Sequence, residues 1–408
     1  MARKPGNRPE SLYLSAREAA AELGISLASL YAYVSRDLIR SEPVPGSRAR
    51  RYRAEDVRLL KKRRVSAENP ALSTSLSFGL PVMDSAITLI ADGQLHYRGS
   101  DATALARTSS LEQVAALLWG AREQPFTRDA VLAPSEPLQK MAESLAKSPR
   151  IERCLALLPL AALEDAAVYN MTDQGLAATG ARLMRFVGAV ISGAEQPSDK
   201  PLHEVLTRAL TQGEKPASEL IRAALVLCAD HELNASAFTV RCVAGTGATL
   251  YAAVQAGICA AQGPRHGGLS GRVESLLLDM ANRQDVEDAV LQRLKDNDPV
   301  PGFGHPLYPE GDPRAKALIS MLKEKYGDDA NFLRAQRILR VMEEAGGLKA
   351  NIDFAIAAMG AVLHLPRGAG LSIFVLGRTA GWIGHAIEQY RTGTMIRPRA
   401  RYTGEAPR

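Results

Sequence analysis

From about residue 81 onward, apolar side chains recur three and four positions apart, the spacing of a buried helix face. Leu111–Trp119 and Leu220–Leu227 carry this pattern most clearly. Alanine is abundant there and clusters of β-branched residues are few. The apolar run Leu371–Leu376 is bounded by Gly370 and Gly377 and reads as a packed core segment. Neither a strand–helix alternation nor an internal repeat is visible, so this region is predicted to be mainly α.

Nearer the N-terminus the punctuation is denser. Ser15 and Glu18 form a capping-box pattern ahead of Ala19, Ala20 and Leu23, with Gly24 placed to end the helix. Ser26 is placed to cap a second helix through Leu30, Tyr33 and Val34. A loop rich in Pro, Gly and Arg (Pro43–Arg51) follows, and a third helix is predicted from near Ala54. Residues 66–80 are small and polar and read as a linker. The expected organisation is a helix-turn-helix domain over 1–65, this linker, and a helical domain over 81–408.

The 408 residues are 46% hydrophobic and 23% charged, which excludes disorder, collagen and a coiled-coil rod. That length suggests two or three domains. The formal charge of +6 is unevenly spread. Residues 1–65 hold 15 basic and 7 acidic side chains, and the remainder holds 35 and 37. The basic excess therefore belongs to the N-terminal module alone. No run approaches the 18 or so apolar residues of a membrane span, and the first residues lack the apolar stretch of a secretory signal. Cys154, Cys228, Cys242 and Cys259 show no CxxC spacing and read as buried free thiols. A cytoplasmic protein is expected.

The order of elements in residues 1–65 resembles the N-terminal half of MerR-type and excisionase-type DNA-binding domains. Arg51, Tyr52, Arg53, Asp56 and Val57 carry the resemblance, with a spacing one residue tighter than that pattern. The resemblance implies a small winged helix-turn-helix. Its second helix would present Ser29, Tyr31 and Arg36 to a major groove, while Arg48, Arg50, Arg51 and Arg53 neutralise phosphates. A docking or oligomerisation module would account for the same features.

Three of the seven histidines sit in unusual settings: His231 in ADHELNAS, His266 in GPRHGG and His305 in PGFGHPLYPEGDPRA. Gly and Pro around the last two shape turns that let a ligand approach the backbone closely. Asp353 precedes an apolar helix, Arg378 lies in GRTAGW, and Arg397 and Arg399 lie in IRPRARYTGE. Singly, each has a structural explanation: a turn, an N-cap, a solvated arginine. No histidine or cysteine spacing suits a metal, and no Walker loop, GxGxxG after a strand or GxSxG elbow is present.

Taken in order, these blocks resemble the citrate synthase family from about Leu76 to Gly404, beginning with DGQLHYRGSDATALA at 92–106. The resemblance implies a mainly α fold of large and small helical subdomains, about 81–210 with 346–408 and about 211–345, with the active site in the cleft. It implies condensation of acetyl-CoA with oxaloacetate followed by hydrolysis of the citryl thioester. Asp353 would be the base, His266 the donor to the thioester oxygen, and His305 the group polarising the ketone. Arg314, Arg378 and Arg397 would bind substrate carboxylates, with His231 as a further contact. Val300, Pro301, Gly302, Phe303 and Gly304 would cradle the adenine of coenzyme A. No permanently bound cofactor is implied, since the coenzyme A thioester is a co-substrate. The last arginine would reach the neighbouring site of a homodimer.

The sequence departs from the family pattern at Arg265, at Leu269–Gly271, at Pro306 and at Ala355–Ala357. No departure removes a catalytic side chain. The acyl donor stays open between acetyl-CoA and the propionyl-CoA of 2-methylcitrate synthase, because one methylene is worth only about 1–3 kcal/mol. A citryl-CoA lyase-type reaction is a weaker alternative. A DNA-binding regulator with a citrate synthase-like sensor domain is the alternative of a different class.

Overall fold

The computed structural model describes residues 13–23, 25, 27–34, 39–44, 49–54, 56–57, 83–211, 215–398 and 403–404. The chain divides into two units, Met1–Asp84 and Ser85–Arg408.

In the first unit β1 (Tyr13–Ser15) leads into α1 (Ala16–Leu23), and α2 (Leu27–Val34) follows after three residues. The capping box forms as expected. Ser15 N–H donates to Glu18 Oε2 at 2.8 Å, and Glu18 N–H to Ser15 Oγ at 3.3 Å. The segment read as a loop differs: β2 (Ser41–Pro43) and β3 (Arg50–Arg53) pair antiparallel, and β1 pairs on the other edge of β3. Strand alternation explains the tight Arg51–Tyr52–Arg53 spacing. Tyr52 points inward to Ala19, Ala20, Leu23, Leu30, Ile39 and Val57, and its two neighbours face away. Ala54, Asp56 and Val57 are helical, as predicted. The linker 66–80 lies outside the described residues.

The second unit opens with a meander of β4 (Thr88–Ala91), β5 (Gln94–Tyr97) and β6 (Ser100–Asp101). The helical reading passed over these strands. Their turns hold positive φ at Asp92 and Gly93 (51° and 72°) and at Arg98 and Gly99 (45° and 82°). Two consecutive positive φ angles suit a two-residue hairpin turn, and Asp-Gly is its commonest signature.

Fifteen helices follow among the described residues. These are α3 (Ala102–Thr108), α4 (Leu111–Trp119), α5 (Glu136–Ser144), α6 (Arg150–Glu164), α7 (Asp173–Ser192), α8 (Leu202–Leu210), α9 (Lys215–Leu227) and α10 (Ala235–Ala244). They continue with α11 (Leu250–Ala261), α12 (Leu269–Ala281), α13 (Val286–Lys295), α14 (Pro313–Tyr326), α15 (Ala330–Glu344), α16 (Ile352–Val362) and α17 (Ala369–Thr392). No helix among the described residues is long and apolar enough to cross a membrane.

Two helices organise the packing. The buried α17 packs against α4, α7, α9, α10 and α11, whereas α16 packs against α12, α14 and α15. Close approach to α17 depends on glycine. A Cβ on Gly381 would lie 2.3 Å from Asp230 Oδ1, and one on Gly377 would lie 2.6 Å from the Leu225 carbonyl. The C-terminal end of α9 is thereby pressed onto the middle of α17. Tyr97 fixes the same end from the other side, its hydroxyl lying 3.0–3.3 Å from the carbonyls of Val226, Leu227 and Asp230.

Candidate active site

The segment 228–234 leaves α9 and carries His231, whose Nε2 lies 2.9 Å from the Tyr308 hydroxyl. Glu232 takes a φ of 51°, turning the chain so that Asn234 caps α10. The His231 and His305 rings meet edge to face, with centroids 5.1 Å apart. Tyr308 lies 5.0 Å from the His305 ring.

His305 follows the glycine-rich segment Val300–Gly304, which is stitched to the approach of α16. Gly304 N–H donates to the Lys349 carbonyl at 2.8 Å, and Asn351 N–H to the Gly302 carbonyl at 2.9 Å. Asn351 Oδ1 then caps α16, and Asp353 stands in the first turn. Leu307 N–H donates to His305 Nδ1 at 3.2 Å. Because Nδ1 accepts, the neutral ring carries its proton on Nε2.

Asp312 ties the next elements together. It caps α14 through Arg314 N–H, accepts Ile352 N–H at 3.0 Å, and holds Arg314 through Nε at 3.0 Å and Nη2 at 2.8 Å. Arg378 rises from α17 with Nε donating to the Cys228 carbonyl at 2.7 Å and its guanidinium 4.8 Å from the Phe374 ring centroid. Arg378 is 1% exposed, yet no carboxylate of a described residue pairs with it. A buried, unpaired guanidinium with free terminal nitrogens is built for an incoming anion.

His266 lies between α11 and α12, edge-on to Phe374 at 5.7 Å. Its Nε2 is 2.8 Å from Ser236 Oγ, which also receives the Trp382 indole N–H at 3.0 Å. Ser236 has one proton to give, to His266 Nε2 or to Asn234 Oδ1 at 2.7 Å. Asn234 Oδ1 already accepts from Ser236 N–H and Ala237 N–H. When the proton goes to His266, the imidazole must carry its own hydrogen on Nδ1.

The electrostatics follow from burial among cations. Burial pushes the Asp353 carboxyl up to about 6; Asp312 adds to this, and Arg314 and Arg378 oppose it. Its carboxylate accepts no hydrogen bond from a described residue, the condition of a base awaiting a proton. Burial, reinforced by Arg378, takes His266 down to about 4. Burial and Arg314 also lower His305, against the pull of Asp312. His231 falls well below its ordinary value, through burial first and then Arg314 and Arg378. Burial thus favours the neutral form of all three rings. Among the described residues no group of three or more His, Cys, Asp or Glu is placed to hold a metal ion.

The fold thus gathers His231, His266, His305, Arg314, Asp353 and Arg378, with the Val300–Gly304 segment beside them. Arg397 lies exposed beyond α17 and pairs with no described residue, and Arg399 lies outside the described residues. Sequence reasoning missed Ser236, Tyr308 and Asp312. Only the Asp-Pro of DPRA, an N-cap followed by proline at the first helical position, carried a usable signal. The thiol reading needs correction too: Cys154 and Cys228 are buried, but Cys259 on α11 is exposed. Its position on an outward helix face could not be read from the cysteine spacing.

In the N-terminal unit Arg36 and Arg48 lie outside the described residues, as does the Ser29 side chain, and Tyr31 is exposed. Arg50 bonds Ser41. Arg51 and Arg53 share Glu42, at 3.0 and 3.5 Å, so two expected phosphate contacts have an internal carboxylate partner.

Residues 76–399 match the family model "Citrate synthase, C-terminal domain". Citrate synthase 2 of Bacillus subtilis is 30% identical over 353 residues, covering 80% of this chain and 94% of that protein. A 2-methylcitrate synthase of Shewanella oneidensis is 34% identical over 206 residues, 49% of this chain and 55% of that protein. Among solved structures, citrate synthase from the thermophilic archaeon Thermoplasma acidophilum, in a ternary complex with carboxymethyl coenzyme A and oxaloacetate, superposes with a TM-score of 0.70. It is 21% identical and covers 84% of this chain and 98% of its own. With four-fifths of its length matched in sequence and the same helical architecture around the histidines, this chain belongs to the citrate synthase family.

Proposed function

We propose that the enzyme condenses acetyl-CoA with oxaloacetate to give citrate and free coenzyme A. One observation carries this reading: Asp353, whose carboxylate accepts no hydrogen bond from a described residue, is buried within electrostatic reach of Arg314 and Arg378, and the same arginines act on His231, His266 and His305. The methyl group of a thioester is a very weak acid, so its deprotonation needs a base and a donor to the developing enolate oxygen at once. Asp353 takes the proton while His266 donates from Nδ1, its Nε2 supported by the Ser236 hydroxyl. The enol carbon then attacks the oxaloacetate ketone. His305 polarises that ketone through Nε2–H and gives its proton to the new alkoxide. Water hydrolyses the citryl thioester.

Both oxaloacetate carboxylates need cationic partners. Arg378 offers its two terminal nitrogens, and Arg314, oriented by Asp312, offers Nη1. His231 is a further substrate contact, held by Tyr308. Val300–Gly304 cradles the adenine. Arg272, Arg293 and Arg367 line a pocket of about 530 Å³ that also includes Pro301 and Gly268, and we assign the coenzyme A phosphates to it. Arg397 completes the site of a second subunit in a homodimer. Helix packing favours a small subdomain built around α12–α16, in place of the expected 211–345.

Release of free thiol from acetyl-CoA and oxaloacetate tests the activity against a His305→Ala control. No release above that control, with propionyl-CoA and other 2-oxoacids also tried, overturns it. The relative kcat/KM for acetyl-CoA and propionyl-CoA decides between citrate and 2-methylcitrate synthesis.

The N-terminal unit supports a second, additional role. Two helices separated by three residues, the β2–β3 hairpin after them and an exposed Tyr31 on α2 support a winged helix-turn-helix reading. We assign it duplex DNA contact as a dimer. Salt-sensitive binding of duplex DNA by the full chain, lost on deletion of 1–65, is the expected result; equal binding by the deletion variant refutes it.

A further inference from the structure

Away from the reaction centre, α12, α15, α16 and the start of α17 enclose a cavity of about 430 Å³, within the range that takes small organic ligands. Its floor is apolar and built from small side chains, Ala357, Gly360 and Ala361 on α16, faced by Leu277 and Leu278 on α12. A Cβ on Gly360 would meet no atom within 4 Å, so the floor is open space rather than a tight helix contact. Leu278 is 57% exposed at the rim. Three basic side chains stand around this floor: Arg334, His364 and Arg367.

The charges around the cavity are one-sided. Among the described residues Arg334 bonds only the neutral Asn331 oxygen, at 2.7 Å, and Arg367 approaches the Ser275 hydroxyl at 3.4 Å. The one carboxylate on the wall, Glu274, is committed elsewhere. Its two oxygens accept Gly368 N–H at 3.0 Å and Gly370 N–H at 3.1 Å at the start of α17. His364 adds a second, independent observation. It ends α16 with a φ of 50°, a left-handed position where glycine is usual. The turn is closed by Leu365 N–H on the Gly360 carbonyl at 2.8 Å. A bulky residue retained in that conformation at a cavity wall points to a use for its side chain.

We propose that this cavity binds an amphipathic monoanion, a medium-chain carboxylate, with its alkyl chain on the Ala357–Ala361 floor and its carboxylate on Arg334, His364 and Arg367. The apolar floor excludes a compact polyanion, and the basic rim excludes an organic cation. None of the six residues gathered at the reaction centre lines the cavity, although Arg367 and Glu274 also line the pocket assigned to the coenzyme A phosphates, and occupancy is measured without turnover.

Titration calorimetry of the full-length protein with octanoate reads the site directly. Saturable binding of one octanoate per chain is expected, at least tenfold tighter than binding of octylammonium. Ala361→Leu, which fills the floor, and Arg334→Gln, which removes one charge without adding bulk, should each weaken it at least tenfold. His364→Gly relieves the backbone and should raise Tm while weakening octanoate, which separates a ligand role from a structural one. Absence of saturable binding, equal affinity for octylammonium, or unchanged affinity in both Ala361→Leu and Arg334→Gln overturns the proposal.

Discussion

Asp353 is pulled in opposite directions by burial, which disfavours its charge, and by Arg314 and Arg378, which favour it. Burial prevails and the carboxyl is pushed up to about 6. For a base that must be ionised, kcat/KM should fall below about pH 6 with the slope of one proton. Asp353→Asn should lower kcat by about 10³-fold with acyl-CoA binding retained, because only the proton acceptor is lost. Stability should move the other way. A carboxylate with a raised folded pKa stabilises the fold only while protonated, so between the usual carboxylate value and pH 6 that contribution disappears as pH rises. Above pH 6 the buried charge is a cost, and Asp353→Asn should gain about 1–3 kcal/mol, read as a higher Tm at pH 7. An unchanged or lower Tm would show that the arginines fully compensate the charge. In the proposed mechanism Ser236 gives its proton to His266 Nε2 and so holds the tautomer that donates from Nδ1. Ser236→Ala should cut kcat about tenfold, as losing a partner behind a working group commonly does, and leave the oxaloacetate KM within twofold. An equal loss in oxaloacetate KM would assign Ser236 to substrate binding.

Among the elements, the Val300–Gly304 segment shows why its glycines could be noticed in sequence but not interpreted. Gly302 has a φ of 93°, and a Cβ there would lie 3.0 Å from Phe354 Cβ and 3.2 Å from Val273 Cγ2. Both the conformation and the space exclude a side chain, and the space is set by α16 and α12, far along the chain. Gly302→Ala should cost about 1–3 kcal/mol and raise the acyl-CoA KM several-fold by displacing the segment from α16. A variant with wild-type Tm and KM would show that the segment yields without consequence. The capping box at Ser15 and the apolar helix faces were legible because their signals are local and periodic. The β4–β6 meander was not, since its strands are two to four residues long and lie within a chain whose dominant period is helical. The Asp-Gly turn was the available sign.

At the scale of the whole molecule, the +6 charge resolves into a basic N-terminal unit and a nearly neutral catalytic unit. Arg397 is exposed and pairs with no described residue. If it serves a neighbouring site, an Arg397→Ala subunit mixed with an Asp353→Ala subunit regains activity in heterodimers that contain one intact site. Failure to complement, with heterodimers demonstrated by mass, assigns Arg397 elsewhere.

The sequence by itself determined the helical class and the family, and it supplied the candidate residues of the proposed chemistry. The glycine-flanked histidines, the DPRA and NIDF blocks and the buried-helix arginine keep their identity wherever the chain runs. Tertiary structure decided how those groups behave. The Asp353 carboxyl is pushed up to about 6 only because the fold buries it, with Arg314 of α14 and Arg378 of α17 opposing, and Arg378 is buried where glycines bring α9 onto α17. The supports Ser236, Tyr308 and Asp312, like the basic cavity behind α16, join residues 30 to 96 positions apart. Periodicity reports the neighbours of a residue on its own helix. It carries no information on which distant helix supplies the charge, the hydrogen bond or the space.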